Sequence, residues 1–341
     1  MPVAPAPRGP LSEAVLAVLL HAPGTLVDVD VDVDATADPL ADDDLHLTLY
    51  CLYELHYRGL DGVDERWEWD PGLLALRARL EAVFEAGLHD ALSGWVPPSA
   101  GPETMDLALR AIIAADDGPS LARHLEVDGD LDQLREFLVH RSAYQLKEAD
   151  PHSWAVPRLA GAPKAALVEV QTDEYGGGDP ARMHAELFAD VLRALELDAT
   201  YGAHLDRLPG ITLATVNLMS LFGLHRRRRG AIVGHLALFE MTSSVPNRRY
   251  ATALRRLGVD DPRATAFFDE HVTADAVHEN IAAVDLAGGL VRQEPALTAD
   301  VLFGARALVE IEDRWARHLL GAWDEGRSSL LHAPATAAAA S

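Results

Sequence analysis

The sharpest chemical pattern in the sequence is His271-Val-Thr-Ala-Asp275-Ala-Val-His278. At 100° per residue, offsets of four and seven place these three side chains at about 0°, 40° and −20° around a helix. Three side chains able to ligate a metal ion therefore share one stripe. Phe267, Phe268, Ala274, Ile281 and Ala282 surround it with apolar or small groups. Such a stripe is costly to bury without a cation. The competing reading is a solvated polar face on which two histidines fall together by chance.

A second pattern is Glu174-Tyr-Gly176-Gly177-Gly178-Asp179-Pro180, followed by His184. A carboxylate ends one helix, a glycine turn follows, and a histidine opens the next. Three glycines let two helices meet closely and bring Glu174 towards His184. The plainer alternative is a helix end with an exposed Glu and a capping His. Two further acids stand out. Glu240 lies in the apolar run His-Leu-Ala-Leu-Phe-Glu-Met-Thr, where an acid must be exposed, paired or bound to a cation. Glu148 closes a helix and shares a face with His140 and Tyr144, although a surface acid near a helix end explains it equally simply.

Taken together, Glu148, Glu174, Glu240 and Asp275 with His184, His271 and His278 are spread over five predicted helices. Mixed oxygen and imidazole ligands inside a bundle suit iron or manganese. Four carboxylates balance two divalent ions. A single cysteine, Cys51, excludes a cysteine-only zinc site and any internal disulfide, and is simplest in a reducing compartment.

In the order Lys-Glu148-Ala-Asp-Pro, Glu-Val-Gln-Thr-Asp-Glu174-Tyr-Gly-Gly-Gly, Met-His184-Ala-Glu-Leu-Phe, Phe-Glu240-Met-Thr and His271-x₃-Asp275-x₂-His278, residues from about 130 to 290 resemble the haem-oxygenase-like diiron oxidases and oxygenases, the iron-containing redox enzymes. The resemblance implies a bundle of about seven core helices and a non-haem centre of two Fe(2+) ions, the second loosely held, built by these seven residues. It also implies O₂ as co-substrate and oxidation of a small organic molecule by N-oxygenation, C–C cleavage or decarboxylation of an amino acid, amine or fatty acid. By analogy His184, Glu148 and Glu174 hold one ion, and Glu240, His271, Asp275 and His278 complete the pair. An external electron donor and a homodimer are compatible with it. Two other readings remain: a non-catalytic metal- or ligand-binding helical protein, and a haem-binding member of the fold with His140 as axial ligand.

The elements that must position these residues are helical. Apolar spacing marks helices from Asp43, from Pro71, over Met105 to Ala115, Leu131 to Glu148, Pro163 to Glu174 and Pro180 to Leu197. Others follow at about 209–224, 230–243, 262–285 and 298–325. Strand signals are scarce, so the expected class is an all-α up-and-down bundle with an N-terminal helical extension. Asp117-Gly118-Pro119 suggests a boundary between an auxiliary region, 41–117, and the main domain, 118–330. A flexible acidic and Pro-rich segment is expected over 1–40 and a frayed tail over 331–341. The Val/Asp alternation after Val27 reads as linker rather than calcium loop, because the EF-hand spacing is missing.

Composition sets the remaining limits. The 341 residues include 29 basic and 53 acidic side chains, a net charge of −24, which disfavours nucleic-acid binding. No stretch reads as membrane-spanning or as a convincing signal peptide, so a soluble, cytoplasmic protein is expected. Arg158, Lys164 and Arg248 are candidates to meet a substrate carboxylate, against a surface-cation alternative. Arg226 to Arg229 read as solvated linker. Glu54 and His56 lie about 200° apart on a helix and are assigned structural roles. Motifs for a Ser or Cys nucleophile, a P-loop or a Rossmann turn are missing.

Overall fold

A computed structural model describes residues 1–24 and 36–332, without the side chains of 274–277. The described chain is helical and has no strand. The helices are α1 (Pro10–Leu19), α2 (Asp43–Glu54), α3 (Pro71–Ala91), α4 (Met105–Ala114), α5 (Leu121–Val127), α6 (Leu131–Gln145) and α7 (Asp150–Ser153). They continue with α8 (Gly161–Glu174), α9 (His184–Ala194), α10 (Gly210–Leu224), α11 (Arg229–Arg256), α12 (Arg263–Asn280), α13 (Gly289–Gln293) and α14 (Thr298–Asp324).

Short polar residues start many of them. Asp42 accepts from Leu45 N to open α2, and Asp70 accepts from Leu73 N ahead of Pro71 in α3. Asp130 and Gln133 form a reciprocal cap on α6. Each cap satisfies amide groups that a helix start leaves unpaired.

The long helices α11, α12 and α14 form the centre of the packing. Where α11 crosses α14, Gly234 faces the Val301 backbone and Gly304 faces the Ala231 backbone, and a Cβ at either position would collide. Backbone thus meets backbone there, drawing α11 tight against its neighbour. Helix α10 is buried on nearly every side and packs on α2, α6, α11 and α14.

Several boundaries differ from those expected. Helix α6 stops at Gln145, so Glu148 stands in a turn before α7 rather than on the helix. Ala149, next to it, has the left-handed φ of 73°. Helix α9 starts at His184, and Pro180–Arg182 form a 3₁₀ turn capped by Asp179. Helix α11 runs through Pro246 to Arg256, well past the expected end near 243. Proline costs a backbone hydrogen bond in mid-helix, and contacts with α5, α12 and α14 outweigh that cost. After α12 the chain continues as a π-helix, Ile281–Gly288, a wider winding often found beside functional sites.

The first residues, expected to be flexible, contain α1, and Ala6 N donates to Asp206 Oδ1 at 2.7 Å. Residues 25–35 of the acidic stretch and 333–341 of the tail lie outside the described residues. Arg227 and Arg228 pair with Glu85, and Arg228 also with Asp300, so this basic run ties α3 to α14 instead of forming a solvated linker. Buried side chains on both sides of residue 117 belong to one hydrophobic cluster. No helix among the described residues is long and apolar enough to cross a membrane.

Candidate metal centre

Glu174 is the last residue of α8, and three glycines with positive φ follow it. Gly176 matters most: a Cβ there would lie 2.7 Å from Met183 N. Without it, the backbone of 182–183 folds against the end of α8. His184 then faces Glu174, with Nδ1 2.9 Å from Oε2. The glycine turn therefore does what its spacing suggested.

Helix α12 supplies the opposite wall. His271 Nδ1–H donates to the Phe267 carbonyl at 2.8 Å, leaving Nε2 directed at Glu148 Oε1, 3.6 Å away. His278 lies seven residues on, about 10 Å along the axis. Its Nε2 donates to Asp173 Oδ2 at 2.9 Å, and its Nδ1 faces Glu240 Oε2 at 3.4 Å. Such outer partners fix the ring orientation and leave one nitrogen inward.

Two groups of ligand atoms result: Glu148, Glu174, His184 and His271, and Glu174, Glu240 and His278. All are buried, and within each group the atoms lie within 4.8 Å of one another. Glu174 belongs to both. The analogy placed His271 with Glu240 and His278; its ring instead joins the Glu148 group, because a separation of seven residues carries the two histidines to different ends of the site. Asp275 lies between them on α12, and its side chain is outside the described residues.

The electrostatics are those of acids and histidines crowded together out of water. Burial pushes the Glu148 carboxyl up, with His271 opposing and the Glu174 charge adding. Burial does the same to Glu240, partly offset by His278. Burial also lowers His278, but its bonds to Glu240 and Asp173 outweigh this and raise it to about 9. Tyr144 is raised well above its ordinary range by burial and by the charges of Glu148, Glu174 and Glu240.

A void of about 10 Å³ lies among Tyr144, Glu148, Glu174, Glu240 and His271. That is close to the space of one water-sized sphere. Glu148 Oε2 is buried and accepts no hydrogen bond from the described residues. Acids held together in this way are favoured by positive charge between them. Mixed oxygen and nitrogen donors around such a gap suit iron.

A larger cavity of about 260 Å³ opens from Glu148 and His271 towards solvent. Residues 135–313, just over half of the chain, match the model of a family described as iron-containing redox enzymes. The chain belongs to the iron-containing redox enzyme family. A comparison with curated proteins gave no match. As in the expected architecture, this iron-containing redox enzyme is an all-α, haem-oxygenase-like bundle.

For this iron-containing redox enzyme, the buried carboxylates and histidines fit iron directly. The haem alternative loses its axial candidate: His140 Nδ1 is bonded to Thr212 Oγ1 at 2.6 Å and Nε2 to Ser329 Oγ at 3.0 Å. The proposed substrate cations are elsewhere too. Arg158 donates to the carbonyls of Gly223 and Leu224 at the end of α10, and neither it, Lys164 nor Arg248 lines the cavity.

Glu148, Phe267, Phe268 and His271 line the cavity, but sequence reading missed Arg141 and Gln145, which line it too. Arg141 and Gln145 precede Glu148 by seven and three positions, so helical spacing alone could have flagged them. Asp173, which holds His278, directly precedes Glu174. His235 is a buried partner of His152, at 3.1 Å, and burial holds His152 down at about 3.

Proposed function

We propose that this chain is a non-haem diiron, O₂-dependent oxidase or oxygenase acting on a small organic substrate in the 260 Å³ cavity. One observation carries the reading: Glu174 is common to two buried groups of ligand atoms. A carboxylate shared in this way is suited to bridge two cations. Glu148, His184 and His271 would complete one site with it, and Glu240 and His278 the other, with Asp275 on the same helix as both His271 and His278.

When bound, two ferrous ions would supply electrons to O₂, and an external donor would restore them. The chain's own contributions are positional. Phe267 O and Asp173 Oδ2 hold the His271 and His278 rings. Tyr144 keeps its hydroxyl proton beside three carboxylates. Phe188, Phe239, Phe267 and Phe268 wall the cavity and exclude water from the oxidising end.

The test is to load the metal-free protein with Fe(II) under nitrogen. About two iron ions per chain are expected, and His271→Ala or Asp275→Ala should bind markedly less. Wild-type stoichiometry in both variants would reject this ligand set. Admitting O₂ should then give iron-dependent O₂ consumption with a transient visible absorption. Iron uptake with no O₂ consumption would instead favour a non-catalytic metal-binding protein.

A further inference from the structure

The cavity that opens on the metal centre has an apolar body, walled by Phe188, Phe239, Phe267 and Leu308. Away from Glu148 and His271, its charged residues are engaged or stand outside. Arg141 Nη1 and Nη2 donate to the two Glu312 oxygens at 2.8 and 2.6 Å, and Cζ lies 4.0 Å over the Trp315 ring. A bidentate pair stacked on an aromatic face leaves little of either charge for a ligand. Asp313 Oδ2 lies 3.2 Å from Arg317 Nε, and its Oδ1 is closed over. Asp116 is exposed at the outer end and accepts from Gly118 N at 3.1 Å.

Two neutral groups on α11 differ from these. Asn247 and Tyr250 lie one turn apart, line the cavity and are each only 9% exposed. Neither the Asn247 amide nor the Tyr250 hydroxyl makes a hydrogen bond with a described residue, and neither is among the polar atoms that packing seals, so both open on the cavity. Gln145 Oε1, by contrast, is sealed. The other hydroxyls of the wall are engaged: Thr242 Oγ1 donates to the Leu238 carbonyl, Ser243 Oγ to that of Glu240, and Ser120 Oγ accepts from Arg249 Nη1. The Tyr250 ring is held with its centroid 4.4 Å from that of Phe137 and 5.6 Å from that of Phe268. Burial pushes its hydroxyl up to about 12, against the Arg141 charge, so it keeps its proton. Polar groups kept this far from water without partners are a cost that a fitting ligand removes.

We propose that Asn247 and Tyr250 are specificity-determining residues that hold an uncharged, hydrogen-bonding end of the substrate, of the carboxamide class, with its hydrocarbon body directed at the metal centre. The proposal rests on the reading of the cavity as the substrate site. A side-chain amide and a phenol each donate and accept, which matches a carboxamide that does both. An ammonium or a carboxylate held there would leave water without a counter-charge, because Arg141 and Glu312 are spent on each other. The spacing agrees. Asn247 and Tyr250 follow Glu240 by seven and ten residues, about 10 and 15 Å along α11, and the aromatic wall fills the interval.

Binding to the purified protein under nitrogen tests this without turnover. Isothermal titration compares 4-phenylbutanamide, 4-phenylbutylamine and 4-phenylbutanoate, which share a body and differ at the polar end. The amide should bind at least about tenfold more tightly than either ion. Asn247→Leu should weaken the amide about tenfold and change the two ions less than about threefold, whereas a merely structural loss would weaken all three alike. An ion that binds as tightly as the amide would overturn the proposal, as would unchanged amide affinity in a folded Asn247→Leu protein. If that variant does not fold, Tyr250→Phe takes its place, with a loss of about threefold expected for the amide and an unchanged affinity overturning the proposal. Selective amide binding without iron-dependent O₂ consumption would keep the proposal and reject the oxidase reading. Iron-dependent O₂ consumption without amide selectivity would reject the proposal alone.

Discussion

At the scale of single residues, Glu174 and Glu240 have different duties although both are buried acids of one centre. Glu174 reaches both groups of ligand atoms, whereas Glu240 belongs to one. Glu174→Ala is therefore expected to lose both iron ions. Glu240→Ala should keep about one, held by Glu148, Glu174, His184 and His271. Iron analysis after anaerobic loading and desalting checks this, and a Glu174→Ala protein that keeps one ion would show that Glu174 is not shared. Most of the buried acids and histidines that come together were readable because each breaks a local rule. An acid in the apolar run around Glu240, or histidines on an apolar stripe, has no cheap place in a folded core unless a cation joins it. The cavity lining was less readable. Arg141 and Glu312 are 171 positions apart, and only the packing of α6 against α14 makes them a pair.

At the scale of elements, the turn that carries Glu148 is clamped from three sides. Arg58 Nη2 donates to the Leu146 carbonyl at 3.1 Å, and Gln171 Nε2 to the Ala149 carbonyl at 2.9 Å. Between them, Lys147 Nζ lies 3.0 Å from Glu54 Oε2, with the side chains only 1% and 0% exposed. Tyr201 Oη donates to the same Glu54 oxygen at 2.7 Å, and the Tyr57 ring lies 4.2 Å from the ammonium. Residue 54 ends α2, so a helix far upstream fixes the residue next to Glu148, a candidate metal ligand. Ala149 holds its left-handed backbone in the same turn, a strained conformation that the clamp sustains. Removing one partner of a buried ion pair leaves a charge without compensation, which costs roughly 3–5 kcal/mol. Glu54→Ala should therefore lower unfolding stability by about that amount and weaken iron retention against a chelator. Glu54→Leu with Lys147→Met should recover most of the stability, because the pair is then absent rather than broken. Urea unfolding of the three proteins decides it: no recovery in the double variant would mean that the ion pair is not the cause. Nothing in the spacing of Glu54 announced this role. It sits on a helix whose apolar pattern was clear, but its partner is 93 positions away. The helices themselves were legible from periodicity. The breaks within them were not, because the stop at Gln145, the passage through Pro246 and the π winding after Asn280 are decided by tertiary contacts.

At the scale of the whole molecule, Asp117-Gly118-Pro119 lies in the non-helical link between α4 and α5, and the question is whether the part after it stands alone. Helix α10 answers through its own composition. Thirteen of its fifteen residues are buried, so it has no solvent face and needs covering on all sides. One side is covered by α2, where Asn217 Nδ2 donates to the His46 carbonyl at 2.9 Å. Tyr57 Oη and Ser220 Oγ, 3.0 Å apart, add a polar tie further along. Helix α4 lies against the π segment that follows the histidine-bearing α12. Removing residues 1–117 would strip these covers together and leave Lys147 without Glu54. An apolar surface of that extent is incompatible with a monomeric soluble domain. A chain beginning at residue 118 is thus expected to aggregate, or to retain helical far-ultraviolet dichroism while losing near-ultraviolet dichroism and binding a hydrophobic dye. It should also fail to retain iron, since the turn carrying Glu148 would have lost Arg58 and Glu54. A well-folded truncated chain with full iron content would show instead that the N-terminal helices are an accessory and that α8, α11 and α12 hold the centre without them.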